Sequence, residues 1–127
     1  MILADSDVLI DFLAGVQPGK NQIAEYIQAE QIQTTAITCF ELLNGAGENK
    51  RGNAVRQLLD ALTVLPLDRA AARHAAEVRR KLDRKGEAIG MADSLIAGIA
   101  LAHGLPLFTR NTAHFQRVEK LELVKTK

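Results

Sequence analysis

The amino-acid sequence predicts an α/β sandwich in which short buried strands alternate with helices. Ile2–Ala4 is apolar and is followed at once by an acidic turn and an amphipathic helix over Val8–Leu13. Leu95–Ala102 has no charged or polar side chain, as expected of a helix that is buried on most sides. It leads through Gly104, which suits the position after a last helical turn, into a second apolar strand, Leu105–Thr109. A buried helix leading into a buried strand is typical of the middle of such a sandwich.

The composition bounds the class of protein. A chain of 127 residues that is 47% hydrophobic and 24% charged is long enough for one globular domain with a real core and too short for two, so we expect a single domain over residues 1–127. The one cysteine, Cys39, cannot form an internal disulfide, which favours a reducing compartment. The N-terminus lacks the basic region of a signal peptide, and no apolar run approaches the ~20 residues that cross a bilayer. We therefore expect a cytoplasmic protein with no membrane partner.

The near-neutral net charge of +1 conceals a separation of charge along the chain. Residues 1–48 carry one basic and seven acidic side chains, a net −6, whereas the remainder carries fifteen basic and eight acidic ones, a net +7. Such segregation is compatible with a cation bound near the acidic part and a polyanion near the basic part. Ordinary solvated surface remains the simpler interpretation of these charges taken alone.

The remaining elements follow from periodicity and capping signals. In chain order we predict a helix over residues 21–31, a strand over 34–37, a helix from Thr38 through Leu43, a helix over 53–62, a strand over 64–66, a helix over about 69–84 capped by Asp68, and a final edge strand over 121–124. The helix over 69–84 has a basic face, most simply solvated, that would also suit a phosphate backbone. Its members are Arg69, Arg73, Arg79, Arg80, Lys81, Arg84 and Lys85.

Four oxygen-bearing side chains follow strands or begin helices. Asp5 follows the first strand, Glu41 lies near the start of the helix after the second, Asp93 lies in the first turn of the buried helix, and Asn111 follows Leu105–Thr109. Because the carboxyl ends of parallel strands meet at one rim, these side chains are expected to converge there. Carboxylates crowded together repel one another unless a cation binds, and ligands with oxygen but no sulfur or imidazole favour Mg²⁺ or Mn²⁺.

Helix capping is the competing explanation for two of these acids. Thr38 and Glu41 have the Thr-x-x-Glu spacing of a capping box, in which the glutamate reaches back to the first N–H of the helix. Asp93 near a helix N-terminus stabilises the helix by about 0.3–1 kcal/mol. Neither explanation accounts for Asp5 directly after a buried strand.

The ordered set of motifs resembles the PIN domain, and more closely the VapC toxin of a VapBC toxin–antitoxin pair. The resemblance covers nearly the whole chain. The segments that carry it are residues 3–10 (LADSDVLI), 38–45 (TCFELLNG), 89–97 (IGMADSLIA) and 105–111 (LPLFTRN), with His114 and Phe115. Two positions depart from the family pattern. Asp7 stands where the family more often has an uncharged polar residue, and Asn111 stands where many members have a fourth aspartate, which puts a second metal in doubt.

This resemblance implies a three-layer α/β/α sandwich with a central, mainly parallel sheet and Mg²⁺-dependent cleavage of RNA. It implies an acidic centre of Asp5, Glu41 and Asp93. In this hypothesis Asp5 and Asp93 hold Mg²⁺, with Mn²⁺ as a substitute and with Glu41 and Asn111 as further candidate ligands. Glu41 orients or deprotonates the attacking water, and Asn111 positions the water shell of the metal. The implied partners are an RNA substrate, a cognate VapB-like antitoxin and a second copy in a homodimer.

Three other functions remain open at this level. Residues 5–9 also resemble the nucleophile motif of haloacid-dehalogenase-type phosphatases, although the late paired aspartates of that family are missing. A phosphoreceiver domain has this length, but the segment after Leu105–Thr109 lacks the lysine it needs. A PIN-like RNA-binding module without catalysis is the third alternative. It leaves the clustered acidic residues unexplained, because passive binding of a polyanion does not require them.

Overall fold

The computed structural model describes residues 1–127, which form four strands and seven helices, with two helices after each of the first three strands. In chain order the elements are β1 (Ile2–Ala4), α1 (Ser6–Ala14), α2 (Gly19–Gln28), β2 (Ile32–Thr35), α3 (Ala36–Gly45), α4 (Lys50–Ala61), β3 (Thr63–Leu65), α5 (Arg69–Arg84), α6 (Met91–His103), β4 (Leu107–Phe108) and α7 (Thr112–Phe115). The strands form one parallel sheet in the order β3-β2-β1-β4. None of the helices is long and apolar enough to cross a membrane.

The sheet separates two apolar cores. Successive side chains of β1 point to opposite faces, so Leu3 packs in one core with residues of α5, α6 and α7, whereas Ile2 and Ala4 pack in the other with residues of α1, α2 and α4. Helices therefore cover both faces of the sheet. The predicted three-layer α/β/α fold with a parallel sheet is confirmed.

The boundary between β2 and α3 differs from the prediction. The strand lies two residues earlier because Gln33 and Thr34 pair with Leu3 and Ala4 of β1. The chain leaves the sheet after Thr35, whose side-chain oxygen accepts the N–H of Thr38 at 3.0 Å and so caps α3. The predictions that Thr38 caps this helix, and that it forms a capping box with Glu41, are therefore wrong.

Other boundaries differ by two or three residues. Helices α2 and α4 begin at Gly19 and Lys50, earlier than predicted. The final edge strand is reduced to one parallel bridge, between Leu107 and Leu123. The predicted caps of the two long helices are confirmed: Asp68 accepts the N–H of Ala71, and Gly104 adopts the left-handed conformation after α6.

Candidate functional site

Asp5 lies where β1 ends and α1 begins, at the carboxyl edge of the sheet. It caps α1, with Oδ1 accepting the N–H of Ser6 at 2.8 Å, and its Oδ2 accepts the hydroxyl of Thr109 at 2.7 Å. Only 6% of the residue is exposed. Burial, and next the negative charge of Asp7, raise the pKa of Asp5 to about 6, with a smaller contribution from Asp93, while its two hydrogen bonds oppose the rise. The ionised form of Asp5 is therefore less favourable in the fold than in water.

The segment Thr109–Asn111 follows β4 in the chain and forms hydrogen bonds with residues at the start of α1. Asp7 accepts the backbone N–H of Arg110 at 2.9 Å, and the hydroxyl oxygen of Thr109 accepts the backbone N–H of Asn111 at 3.0 Å. The guanidinium Nε of Arg110 lies 2.7 Å from Oδ2 of the buried Asp11. Thr109 and Arg110 therefore contact three aspartates, which are the helix cap Asp5 and, within α1, Asp7 and Asp11.

Asp93 and Asn111, which the sequence predicts to lie at the same edge of the sheet, are in direct contact. Nδ2 of Asn111 donates to Oδ2 of Asp93 at 3.3 Å. Asp93 lies in the first turn of α6 and is partly exposed, whereas Asn111 immediately precedes α7. His114 completes the cluster, with Nδ1 at 3.0 Å from Nδ2 of Asn111 and 3.4 Å from Oδ2 of Asp93.

Glu41 lies farther along its helix than the sequence suggested. Because α3 begins at Ala36, Glu41 is in its second turn, and it is exposed. Partial shielding of its carboxyl group from solvent is the largest cause of a raised pKa, and the charges of Asp93 and then Asp7 raise the pKa further. Glu41 is therefore within electrostatic reach of the two aspartates, although it makes no hydrogen bond with them.

The four predicted residues thus share one rim of the sheet, but their contacts are unequal. Asp93 and Asn111 touch, and Asp5 and Glu41 are linked to Asp93 through charge. No three acidic, histidine or cysteine side chains lie close enough to form a ready-made metal cluster. The donor chemistry nevertheless fits a hard divalent cation, because the available ligands are oxygens and a cation would favour the ionised form of the buried Asp5.

Sequence reasoning missed two residues of this site. Thr109 was assigned only to the end of a strand, and its contact with Asp5 connects residues that are far apart in the chain. In the sequence, His114 is part of the resemblance to the PIN domain but has no role of its own. Its separation of three residues from Asn111, which makes neighbours in a helical turn, was the available signal.

The family model for the PIN domain matches residues 2–121, and the chain therefore belongs to the PIN domain family. This domain is a metal-dependent nuclease fold, and its nucleases generally depend on a divalent metal ion.

Curated relatives and solved structures agree with this assignment. Ribonuclease VapC10 of Mycobacterium tuberculosis is 34% identical over 122 residues, which span 96% of this chain and 91% of the relative. The tRNA(fMet)-specific endonuclease VapC of Shigella flexneri is 38% identical over 66% of this chain and 67% of its own length. Among structures, VapBC-1 from nontypeable Haemophilus influenzae matches with a TM-score of 0.81 and 28% identity over 98% of both chains. DNA-bound VapBC from Salmonella typhimurium matches with a TM-score of 0.84 and 26% identity, also over 98% of both chains.

Proposed function

We propose that this protein is a metal-dependent endoribonuclease of the VapC type, the toxin of a type II toxin–antitoxin pair. It acts in the cytoplasm as a single domain over residues 1–127. The observation that carries the proposal is the placement of Asp5, Asp93 and Glu41 on one rim, with the pKa values of Asp5 and Glu41 raised in part by neighbouring carboxylates. The VapC ribonucleases that match along most of the chain support the same activity.

In this proposal Asp5 and Asp93 hold a divalent cation, Mg²⁺ or in its place Mn²⁺. Asn111 and Glu41 are further candidate ligands of the cation or of its water shell. When bound, such an ion polarises a phosphoryl oxygen and lowers the pKa of water. Glu41 orients the attacking water and accepts its proton, a role that suits a carboxylate whose pKa is raised above its usual value. Water then adds to the phosphorus of one RNA phosphodiester as one of its P–O ester bonds breaks.

The exposed basic face of α5 is the proposed contact for the RNA backbone. Lys81 and Lys85 are already engaged, since both form ion pairs with Glu119. Arg79, Arg80 and Arg84 are exposed and take part in none of the salt bridges of the structure. These three guanidinium groups are therefore available for phosphates, which supply most of the affinity of sequence-independent binding.

A VapB-like antitoxin is the proposed protein partner. A groove of about 420 Å³ between α1, α3 and α4 has Leu13, Leu42 and Val55 among its lining residues and includes Glu41 on its wall. Apolar side chains remain exposed on α1 and α3, among them Phe40 at 66% and Leu43 at 45%. An apolar segment of the antitoxin would cover this surface and bring a basic side chain to the acidic rim. A homodimer is also part of the proposal, and analytical ultracentrifugation of the isolated protein tests it.

The direct test is incubation of the purified protein with RNA, with Mg²⁺ and with EDTA, beside an Asp93→Asn variant. We expect cleavage that requires the metal and is abolished in the variant while the thermal midpoint is equal or higher, because one of several crowded negative charges is removed. Full activity of Asp93→Asn would overturn the site. A covalent aspartyl-phosphate on Asp5 would instead establish the phosphatase alternative.

A further inference from the structure

Three polar atoms meet at the edge of the proposed site. Nδ2 of Asn111 is 3.3 Å from Oδ2 of Asp93 and 3.0 Å from Nδ1 of His114. His114 lies three residues after Asn111 in the turn formed by α7 and is not one of the four residues assigned above.

The chemistry of these groups fixes the direction of the amide. An ionised carboxylate only accepts hydrogen bonds, so the NH₂ side of Asn111 must face Asp93; the reverse orientation would place two acceptor oxygens against each other. The same Nδ2 lies 3.0 Å from Nδ1 of His114, nearer than the 3.4 Å that separates this Nδ1 from Oδ2 of Asp93. In the neutral imidazole with its proton on Nε2, Nδ1 therefore accepts the second hydrogen of the amide. Both hydrogens of the amide are thus used, and its Oδ1 accepts no hydrogen bond from the protein.

We propose that His114 is a positioning residue for Asn111. By accepting from Nδ2 it holds the amide so that Oδ1 is the atom left for the divalent cation or its water shell. This inference rests on the proposed function, because it assigns Asn111 an oxygen ligand role. The role is specific to an asparagine, because an amide has one oxygen and must be oriented, whereas a carboxylate has two equivalent oxygens.

The first test compares His114→Ala with His114→Asn. Oδ1 of asparagine is attached to Cγ just as Nδ1 of histidine is, so His114→Asn keeps an acceptor at the same place. Binding of Mn²⁺ to the RNA-free protein, measured by titration calorimetry, should be about tenfold weaker in His114→Ala, a typical loss for a group that orients a ligand, and close to wild type in His114→Asn. His74→Ala, which removes an exposed histidine on α5, is the matched control, and thermal unfolding checks that each variant folds.

The second test repeats the alanine substitution in an Asn111→Asp background. If His114 acts by orienting the amide, its removal should weaken Mn²⁺ binding much less when position 111 carries a carboxylate. Equal weakening in both backgrounds, failure of His114→Asn to restore affinity, or unchanged affinity in His114→Ala would overturn the positioning role.

RNA cleavage separates this inference from the proposed function. A wild-type protein that binds Mn²⁺, loses affinity on His114→Ala and yet cuts no RNA would overturn the ribonuclease while supporting the role of His114. Cleavage that requires metal, with Mn²⁺ affinity unchanged in His114→Ala, would overturn only the role of His114. A wild-type protein that binds no Mn²⁺ would overturn both.

Discussion

The hydroxyl of Thr109 donates a hydrogen bond of 2.7 Å to Oδ2 of Asp5 and so connects the carboxyl ends of β4 and β1. The same oxygen accepts the backbone N–H of Asn111 at 3.0 Å. One buried side chain therefore sets the position of two residues of the proposed site. It also lowers the pKa of Asp5 against the effect of burial.

Replacing Thr109 with valine keeps its shape and removes both of these bonds together with a longer one, of 3.4 Å, from the hydroxyl to Oδ2 of Asp7. Because the ionised form of Asp5 loses a donor, its pKa in the metal-free protein should rise above about 6. At subsaturating Mg²⁺, the acid limb of the pH–rate profile for RNA cleavage should therefore move to higher pH. We expect activity at about pH 6 to fall roughly tenfold, with a smaller loss at higher pH. Thr109→Ser retains the hydroxyl and is the control; an acid limb that is the same in Thr109→Val and wild type would contradict the argument.

Thr109 also illustrates what the sequence could and could not predict. Placement of Asp5, Asp93 and Asn111 depended on where buried strands and helices end, which local hydrophobicity reports well. The cap of α3 and the position of Glu41 were misjudged because pairing of Gln33 with β1, a long-range interaction, decides where β2 ends. The contacts of Thr109 with Asp5 and of His114 with Asp93 join side chains that are far apart in the chain, so no local pattern specifies them.

The stability of the protein should depend on pH through Asp5. Its pKa is about 6 in the fold and near 3.8 in the unfolded chain, so the unfolded state loses this proton first as pH rises. Asp5 therefore destabilises the fold increasingly between about pH 4 and 6 and by a constant amount above, on the order of 3 kcal/mol.

Asp5→Asn should remove this penalty without losing the helix cap, since asparagine caps as well as aspartate. In chemical denaturation with EDTA, the variant should be more stable than wild type at about pH 7.5 and nearly equal at about pH 4. Asp60→Asn, at an exposed position of α4, should show no such trend. A variant less stable than wild type at the higher pH would mean that the charge of Asp5 is stabilised in the fold.

The basic face of α5 should control the salt dependence of RNA binding. Reversing Arg80 and Arg84 to glutamate should weaken binding in EDTA and flatten the slope of log affinity against log salt by about one for each phosphate that the protein no longer binds. Lys20→Glu with Lys50→Glu makes the same change in net charge at exposed positions on α2 and α4. Equal effects of the two double variants would mean that α5 contributes only through the net charge of the protein. An unchanged slope would mean that this face is ordinary solvated surface and does not bind RNA phosphates.

Inhibition by an antitoxin should compete with the metal. The rim holds Asp5, Asp7, Glu41 and Asp93, so it attracts any well-placed cation, and a guanidinium suits it because its planar fork donates to two carboxylate oxygens and keeps its charge. Antitoxin affinity, measured by calorimetry at constant ionic strength, should therefore fall as Mg²⁺ rises and fall again in Asp5→Ala.

Asp60→Ala provides the control for loss of a carboxylate elsewhere. Because the apolar side chains of the groove, Leu13, Leu42 and Val55, do not bind Mg²⁺, part of the affinity should persist at saturating metal. Affinity that responds to neither Mg²⁺ nor Asp5→Ala would mean that the antitoxin acts away from the rim, by blocking access of RNA or by altering assembly.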